Sequence, residues 1–425
     1  MIAQEEISPL GHTEVIDEAI ESTCTTTGLT EGKHCSVCNE VLIKQEEAPL
    51  KHNYVDYVCN DCGYHYYSKV LEFELSDDGL SYSITDYTGM DSILVIPSTY
   101  NNKLVTSIND WAFYNCTSFV SIIIPNSVAS IGYAAFYDCT SLKNVYYNGI
   151  IDDWCQIEFF NEYSNPMYMA SYIYMKNSEN TYYEVTSIDT PDSITGIGNY
   201  QFYGFENVTN IIINNNVEII GDCAFSQCNS IKSIVIVDGV TTIGSRTFEN
   251  CALLESLTIP GSITSIKEDA FNGCSSLNKV YYSGTFELWC NILFYNASSN
   301  PMDYAYHFYM LDNDNEYYYV KNIVIPNTVT SIGDYQFLGF ANVTSITITN
   351  GVNSIGNEAF SNCFMLEDVI ISNSIQSIGG CAFDDCWSIR NVYFTGTEEQ
   401  WNSISINYGN SDLTNATIHH NYTSV

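Results

Sequence analysis

The most constraining feature of this chain is a phenylalanine that returns at fixed intervals through most of the sequence. Its nine members are Phe113, Phe136, Phe202, Phe225, Phe248, Phe271, Phe337, Phe360 and Phe383. Successive members differ in number by 23, except across two long intervals where they differ by 66. A short fixed period is typical of a solenoid, in which each coil is stacked on the next.

Other apolar positions keep step with this phenylalanine. An isoleucine stands five residues before it in every unit, and the next residue is glycine in all units except those with Asn109 and Lys267. Glycine allows a turn with positive φ at this point and Asn tolerates one, which favours such a turn, although Lys267 indicates that not every coil needs it. Three residues after the phenylalanine stands a cysteine in seven units, and Phe205 or Phe340 in the two units that follow a long interval. Because all these residues are apolar, we expect an inward-facing column of free thiols, with the bulkier Phe filling space changed by the inserted segment. The seven cysteines are Cys116, Cys139, Cys228, Cys251, Cys274, Cys363 and Cys386.

Before each isoleucine lies a short strand with alternating side chains. In the segment Ser121–Ile124, the alternation places Ile122 and Ile124 inside and Ile123 outside. The outward positions of all the strands, here called the outward row, form a candidate ligand face because they are nearly uncharged in a very acidic chain. The alternative is that β-branched and tyrosine side chains simply suit strand surfaces. The outward row contains Ile123, Tyr146, Ile212, Val235, Thr258, Tyr281, Val324, Thr347, Ile370 and Tyr393.

The repeated unit I-P-x-x-V-x-x-I-G-x-x-A-F-x-x-C, clearest over residues 119–139, resembles the BspA-type (Treponema-type) leucine-rich repeat. The resemblance covers about residues 93–422. It implies a mainly β protein: a right-handed solenoid with a parallel β-sheet on one face. It also implies a cell-surface or secreted bacterial protein that binds host or neighbouring-cell proteins or glycans.

Both long intervals contain a second motif, here called a spacer, at about residues 148–187 and 283–322. Trp154, Trp289 and Trp401 have numbers higher by 18 than the periodic phenylalanine before them, and each follows a tyrosine-rich strand and a glycine. In the third copy, the segment from Thr397 to Gln400 predicts a capping box and a short helix that carries Trp401. The sequence from 137 to 271 therefore looks like a duplicate of 272–406. Each tryptophan is expected to fill the core under its own spacer; the alternative is an exposed aromatic platform for a ligand.

We expect four parts in the chain. Residues 1–70 form a small cysteine-rich module, 71–96 an N-terminal cap containing the strand Ser81–Tyr87, 97–400 the repeat array, and 401–425 a C-terminal cap and tail. The start MIAQEEISPLGH lacks the basic and apolar regions of a signal peptide, and HHNYTSV is not a recognisable wall anchor. Both points contrast with the exported location that the resemblance implies.

The charge excludes some classes of partner. The formal net charge is −37, with 13 Lys and Arg against 50 Asp and Glu. Phosphate contacts need cationic side chains, so we expect neither nucleic-acid nor anionic-membrane binding. No apolar run is long enough to predict a transmembrane helix.

Residues 1–70 contain the one local cluster of metal-ligand types. Cys35-x2-Cys38 and Cys59-x2-Cys62 have a spacing used by zinc ribbons, which predicts a structural Zn²⁺ held by Cys35, Cys38, Cys59 and Cys62. In a second set, Cys24, Cys35 and Cys38 join a histidine, while Cys59 and Cys62 pair with His52 or His65. His12 is another candidate histidine ligand. Disulfides and a redox-active pair stay open as alternatives to zinc.

The function that we expect is adhesion or recognition by a non-enzymatic binding protein, through its strand face. The alternative is a structural spacer or display scaffold of the cell envelope without a ligand of its own. We predict no enzyme, because the sequence contains no nucleophile elbow, Walker loop or dinucleotide fingerprint.

Overall fold

The computed structural model of the protein describes residues 11–24, 26–51, 54–55, 58–59, 67–68, 70–312 and 314–423, with backbone only at 54–55 and 58–59. The chain forms two compact units, Met1–Ser68 and Lys69–Val425. In the first unit, the strands Glu14–Asp17, Gly32–Cys35 and Val41–Ile43 form an antiparallel sheet. Two short antiparallel pairs accompany this sheet: Gly28–Leu29 with Glu47–Ala48, and Tyr54–Val55 with Val58–Cys59.

The second unit is the predicted mainly β solenoid. One face consists of short strands, here called front strands, which pair in parallel and in register with the equivalent strand of the next coil. The front strands are Ile93–Val95, Ser121–Ile124, Asn144–Tyr147, Tyr172–Lys176, Ser187–Asp189, Asn210–Ile213, Ser233–Ile236, Ser256–Ile259, Lys279–Tyr282, His307–Leu311, Asn322–Ile325, Ser345–Ile348, Asp368–Ile371, Asn391–Phe394 and Thr417–His419. They form three successive sheets, interrupted where the two spacers end.

A second row of parallel strands, here called rear strands, lies further along each coil. These are Lys103–Ile108, Ser130–Ile131, Glu158–Phe159, Gly196–Ile197, Ile219–Ile220, Thr242–Ile243, Ser265–Ile266, Leu293–Phe294, Ser331–Ile332, Ser354–Ile355, Ser377–Ile378 and Ser405–Ile406. The predicted strand Ser81–Tyr87 is present: it pairs in parallel with Lys103–Ile108 and antiparallel with Leu71–Leu75. A short strand, Thr99–Tyr100, also pairs with Lys103–Ile108.

The two spacers repeat the same local elements. Each has a one-turn helix, Ile151–Trp154 or Phe286–Trp289, followed by two 3₁₀ turns. The 3₁₀ turns are Glu162–Ser164 and Pro166–Tyr168 in the first spacer, and Ala297–Ser299 and Pro301–Asp303 in the second. Each spacer ends in a returning strand, Tyr182–Glu184 or Tyr317–Tyr319, which pairs antiparallel with the preceding front strand. The predicted helix after Thr397 is Glu398–Asn402, with its capping box, and Ser411–Thr414 is a further short helix.

The periodic residues form the core. All nine phenylalanines are fully buried, and the ring centroids of phenylalanines that are 23 residues apart in the sequence lie 5.0–5.6 Å from one another. The predicted thiol column is also present. Cys139 donates its S–H to the carbonyl of Phe113, in the preceding coil, with an Sγ···O distance of 3.0 Å. Cys228, Cys251, Cys274, Cys363 and Cys386 make the equivalent contact at 3.1–3.5 Å. No disulfide joins the cysteines in the described residues of the solenoid.

The prediction of positive φ at the glycine after the isoleucine is wrong. None of these glycines has positive φ, and five of them show another constraint: a Cβ would lie 2.5–2.7 Å from a backbone nitrogen of the preceding coil at Gly132, Gly221, Gly244, Gly356 and Gly379. Glycine is therefore present because stacked coils approach closely. The residues with positive φ, in the left-handed backbone conformation, stand two positions before and two positions after every periodic phenylalanine. The earlier position holds such types as Trp111, Ala134 and Arg246, which ordinarily avoid this conformation.

The three predicted spacer tryptophans lie inside, so the exposed-platform alternative is wrong. Trp154 and Trp289 are fully buried, and Trp401 is 9% exposed. The indole Nε1 of Trp154 donates to the carbonyl of Gln201 at 2.8 Å, and the amide of Gln201 donates back to the carbonyl of Trp154 at 2.6 Å. Trp289 and Gln336 make the same reciprocal pair. We call each pair a Trp–Gln clamp; it fixes the spacer to the following coil.

Phe205 and Phe340 replace the column cysteine where the clamp lies, as the sequence predicts. Their rings are 5.8 Å from Trp154 and 5.9 Å from Trp289, respectively, and both are buried. The larger side chain therefore fills the space next to the inserted indole.

Candidate ligand surfaces and candidate metal centre

The outward row is accessible along most of its length. Ile212 and Val324 are exposed, at 45% and 53%, and most other members are half-buried. The expectation that Ile123 is accessible is wrong: its side chain is 1% exposed, and its register neighbour Val95 is 3% exposed. Strand alternation predicts that a side chain points away from the core, but not whether other parts of the chain cover it. Ile123 is therefore removed from the candidate ligand face.

Three aromatic clusters, here called the front clusters, lie on the outward row. Tyr146 stacks on Tyr174 at 4.8 Å between ring centroids and meets Tyr182 edge-on at 5.2 Å. The second and third clusters have the same arrangement of a stacked pair with a third ring. Their members are Tyr281, Tyr309 and Tyr317 in one, and Tyr393, His419 and Tyr422 in the other.

The first and second front clusters draw one ring from the coil before the spacer, one from the next front strand and one from the returning strand. Tyr146, Tyr281 and Tyr393 were predicted from the strand alternation, whereas their ring partners were not. A signal was available in the tyrosine-rich runs that end both spacers.

A polar row accompanies these rings at the start of the front strands. Ser233 donates its hydroxyl to Asn210 at 2.8 Å, and Ser345 donates to Asn322 at 2.7 Å. Asn391 donates its amide to Asp368 at 2.9 Å. The outer surface of the front strands thus offers hydroxyls, amides and tyrosine rings, with few charges.

A second aromatic surface, which was not predicted from the sequence, lies at the turns around the periodic phenylalanines and in the first spacer. We call it the aromatic ridge. Trp111 lies 5.3 Å from Tyr114 and 5.5 Å from Tyr133, and Tyr114 stacks on Tyr137 at 5.9 Å. The contacts continue through the first spacer in the order Tyr137, Tyr163, Tyr168, Tyr203 and Tyr200, with ring centroids 4.6–6.5 Å apart.

Much of the aromatic ridge is open to solvent. Trp111, Tyr114 and Tyr133 are 47–51% exposed. The neighbouring Tyr168 hydroxyl raises the pKa of Tyr163 to about 12, and burial raises the pKa of Tyr203. The carboxylate of Glu162 adds to both pKa shifts. The ridge therefore combines exposed rings with neighbouring negative charge.

The duplication provides a counterpart of the ridge. The ridge lies within residues 111–203. The duplicates 137–271 and 272–406 are offset by 135 residues, and the same offset relates the ridge to residues 246–338, here called the counterpart stretch. Only one of the eight ring positions of the ridge, Tyr335, is aromatic there. The eight counterparts are Arg246, Glu249, Glu268, Asn272, Ser298, Asp303, Tyr335 and Leu338. Polar contacts replace the ring contacts: Arg246 lies 3.9 Å from the carboxylate of Asp269, and Ser298 donates to Asp303 at 3.2 Å.

The N-terminal unit brings three of the predicted metal ligands together. The ligand atoms of His12, Cys35 and Cys38 all lie within 4.8 Å of one another. The Cys38 sulfur is 3.4 Å from Nδ1 of His12, and Nε2 of the same ring is 3.3 Å from the carboxylate of Glu40.

The turn from Cys35 to Cys38 explains this arrangement. The backbone N–H of Asn39 donates to the carbonyl of Cys35 at 2.9 Å, and Asn39 has a φ of 58°. Backbone N–H groups of Val37 and Cys38 and the His12 ring lower the pKa of the Cys35 thiol to about 6. Cys35 and Glu40 raise the pKa of His12.

Among the described residues, Cys24 does not join this group. The sulfur of Cys24 lies 3.5 Å from the carbonyl of Lys51. Cys62, His52, His65 and the side chain of Cys59 lie outside the described residues, so both four-ligand sets stay predictions.

The described residues include no helix with the length and apolarity needed to cross a membrane. Burial raises the pKa of Cys228 and of Cys274 to about 12, so these two column thiols are not activated as nucleophiles.

The solenoid matches the model of a known protein family. The family model described as "BspA type Leucine rich repeat region" matches in six copies, over residues 92–167, 173–300 and 313–425. No curated protein gives a significant match to the sequence.

Several solved structures are similar to the chain. A leucine rich cell surface protein from Faecalibacterium prausnitzii is 20% identical, with a TM-score of 0.41 over 80% of this chain and 97% of that one. A leucine-rich repeat protein from Bacteroides ovatus is 19% identical, with a TM-score of 0.37 over 81% and 100%. The pneumococcal vaccine antigen PcpA is 14% identical, with a TM-score of 0.38 over 84% and 88%.

Proposed function

Because the chain belongs to the BspA-type leucine-rich repeat family, we propose that it is a secreted or cell-surface protein that binds host or neighbouring-cell proteins or glycans through its front strands. Repeat solenoids of this family are generally non-enzymatic and serve binding or display. A regular array of coils offers a long surface whose outward residues are free to vary while the core is retained.

The recurrence of the front clusters is the observation that carries this proposal. Their first members, Tyr146, Tyr281 and Tyr393, are outward side chains that the core does not use. Tyrosine supplies a large, rigid contact area that loses little conformational entropy on binding, and neighbouring Ser and Asn supply adaptable hydrogen bonds. The outer surface of the front strands is nearly neutral although the formal net charge of the chain is −37. Partners of either charge therefore meet little electrostatic repulsion at this surface.

The test combines a binding array with a triple variant. The full chain is applied to an array of glycans and cell-surface proteins, and each ligand found is titrated against Tyr146→Ser, Tyr281→Ser and Tyr393→Ser combined. We expect Kd to rise at least about tenfold, because truncating central aromatic residues removes most of the binding energy of typical interfaces.

A matched control replaces exposed tyrosines that lie away from the front strands. Tyr295→Ser with Tyr408→Ser should leave the same Kd unchanged, since these residues follow rear strands and are 48% and 81% exposed. Unchanged Kd in the front-cluster variant, with folding verified by circular dichroism, would remove the front strands as the binding surface.

One observation favours the second candidate, a display scaffold without a ligand. The rings of each front cluster stack on one another, so part of their area is already used within the chain. In that case, the full chain retains nothing from the array above background, and the triple variant loses only stability.

A further inference from the structure

We propose that the aromatic ridge is a separate binding site, for a protein segment rich in Lys or Arg. This site goes beyond the proposed function, because its rings lie at the turns around the periodic phenylalanines and in the first spacer, and not on the front strands.

The internal comparison shows that the fold does not need these rings. At the four positions of Trp111, Tyr114, Tyr133 and Tyr137, the counterpart stretch carries Arg246, Glu249, Glu268 and Asn272 on equivalent coils. Phe113 and Phe136 of the same coils correspond to Phe248 and Phe271, and all four are fully buried. The core is thus maintained with charged groups on the surface, so the contiguous rings of the ridge have another use.

The geometry of the ridge suits a protein partner. Trp and Tyr are the residue types most enriched at the energetic centres of protein interfaces. Here they form one connected surface through Trp111, Tyr114, Tyr137, Tyr163 and Tyr168. A contiguous exposed apolar patch often marks a site that a partner covers.

The charge of the surrounding chain selects a cationic partner. Between residues 104 and 231 the only basic side chains are Lys143 and Lys176. Asp110, Asp138 and Glu162 adjoin ridge rings in the sequence. Lys and Arg bind both to carboxylates and to the faces of Trp and Tyr, and the latter contact strengthens when it is desolvated.

The experiment exchanges the rings for the side chains that the counterpart stretch already carries. The variant combines Trp111→Arg, Tyr114→Glu, Tyr133→Glu and Tyr137→Asn in the full chain. One added Arg and two added Glu change the formal net charge only from −37 to −38, so nonspecific attraction of a cation is retained.

The probe is a short peptide in which Arg alternates with Gly and Ser, titrated by calorimetry at physiological ionic strength. We expect the original chain to bind it and the exchanged variant to raise Kd at least about tenfold. A peptide with Glu in place of Arg should not bind, and Tyr295→Ser with Tyr408→Ser should leave Kd unchanged.

Equal Kd values for the original and exchanged chains would overturn the proposal, as would ring-dependent binding of neutral oligosaccharides without binding of the Arg peptide. Neither result affects the front strands, which the Tyr146, Tyr281 and Tyr393 variant tests separately.

An independent observation supports a second inference. We propose that Nδ1 of His12 and the sulfurs of Cys35 and Cys38 bind one Zn²⁺, with Glu40 fixing the histidine ring. Zinc–sulfur and zinc–nitrogen bonds of about 2.3 and 2.0 Å set a sulfur–nitrogen edge of about 3.5 Å in a tetrahedral site. The observed distance from Cys38 Sγ to His12 Nδ1 is 3.4 Å.

The outer contact of the histidine fits the same role. Metal-bound histidines almost always direct their second ring nitrogen to a carboxylate, a carbonyl or water, which fixes the tautomer. Nε2 of His12 lies 3.3 Å from Glu40, while Nδ1 faces the thiols. Two thiolates and an imidazole are ligands that Zn²⁺ prefers.

Elemental analysis of the purified full chain tests this site. We expect one zinc per chain, lost in Cys35→Ser, Cys38→Ser and His12→Gln but retained in the control Cys24→Ser. Cobalt substitution should give a sulfur-to-metal absorption band that depends on the same three residues. Glu40→Gln should weaken zinc affinity about 10–100-fold.

Two results would overturn the metal site. One is a zinc-free chain whose mass shows a disulfide between Cys35 and Cys38. The other is a chain that keeps zinc without His12 but loses it without Cys59 or Cys62, which would assign the four-cysteine set instead.

Discussion

The aromatic ridge and the counterpart stretch belong to parts of the chain that are alike inside and different outside. Both parts contain a buried tryptophan bound to a glutamine 47 residues later, Trp154 with Gln201 and Trp289 with Gln336. At the turns, one part presents the ridge, whereas the other presents charged and amide side chains that bond to one another. The difference separates the buried contacts that folding requires from the surface side chains that folding only tolerates.

The same comparison applies to the spacers. Asn165 donates to the carbonyl of Tyr200 at 2.9 Å, and its counterpart Asn300 donates to Tyr335 at 2.8 Å. Tyr163 and Tyr168, which flank the first of these anchors, correspond to Ser298 and Asp303. Identical anchors with unlike surfaces are the pattern expected when one structural duplicate has acquired a site of its own.

The largest effect should come from breaking a Trp–Gln clamp. Trp154→Ala and Trp289→Ala should each lower the free energy of unfolding by about 3–5 kcal/mol, because a fully buried ring is lost and a cavity remains. The two losses should be equal within error in urea titrations. Trp111→Ala is the control: its side chain is 48% exposed, so we expect a loss of less than about 1 kcal/mol. Unequal losses at the two clamps would show that the duplicates are not equivalent inside.

A smaller effect should follow from adding a methyl group between coils. Gly356→Ala should destabilise the chain by about 1–3 kcal/mol, because its Cβ would lie 2.5 Å from the backbone nitrogen of Asp334. Gly196→Ser is the matched control, since the counterpart residue is Ser331 and a Cβ at Gly196 would meet only a carbonyl at 3.6 Å. Thermal melts that rank the two substitutions in the opposite order would contradict the close-approach account of the glycine.

The thiol column should make both duplicates sensitive to alkali. Burial raises the pKa of Cys139 and of its counterpart Cys274 from 9.0 to about 12. The folded chain therefore holds these protons more tightly than the unfolded chain, and the resulting stability is present below pH 9 and lost as the pH rises towards 12.

At pH 10, each of these two thiols should account for about 1 kcal/mol of lost stability relative to neutral pH. Cys139→Ala and Cys274→Ala should each reduce the difference in unfolding free energy between pH 7 and pH 10 by that amount. If these substitutions leave the difference in unfolding free energy unchanged, the thiols ionise as readily in the folded chain as in the unfolded chain.

The smallest effect should come from the exchange at the ridge. Combining Trp111→Arg, Tyr114→Glu, Tyr133→Glu and Tyr137→Asn should change the free energy of unfolding by about 1 kcal/mol or less, because the counterpart stretch already folds with these residues. A loss as large as that from Trp154→Ala would show that the rings support the fold, and the comparison would then fail at its outer surface.

The features predicted from sequence are those with a period. The phenylalanine and cysteine columns, the strand alternation and the buried tryptophans each repeat, and stacking requires identical contacts in every coil. The left-handed turns were misplaced because the residue two before each phenylalanine has no common chemistry. Its backbone N–H bonds to the next coil, as from Trp111 to Tyr133 at 3.0 Å and from Arg246 to Glu268 at 2.9 Å. Those bonds offset the strain, which costs about 1–2 kcal/mol per residue.

The candidate surfaces were predicted less completely for the same reason. Ridge rings occupy several different positions in the coil and in the spacer, so no single column contains them. The burial of Ile123 depends on what lies over a strand, which alternation does not encode. In the first unit, folding brings His12, one of the candidate histidine ligands, to Cys35 and Cys38. The four-cysteine set stays a prediction, because Cys62 and the side chain of Cys59 lie outside the described residues.

Nearly interchangeable coils create a hazard during folding, since a coil displaced by one whole period would still find a matching neighbour. Each spacer indole donates to the backbone carbonyl of Gln201 or Gln336, whose side-chain amide donates back to the tryptophan carbonyl. This reciprocal pair has no equivalent one period away on either side in the described residues. We expect these two junctions to act as alignment marks, so that chains lacking either partner accumulate misthreaded, slowly rearranging forms before reaching the native stack.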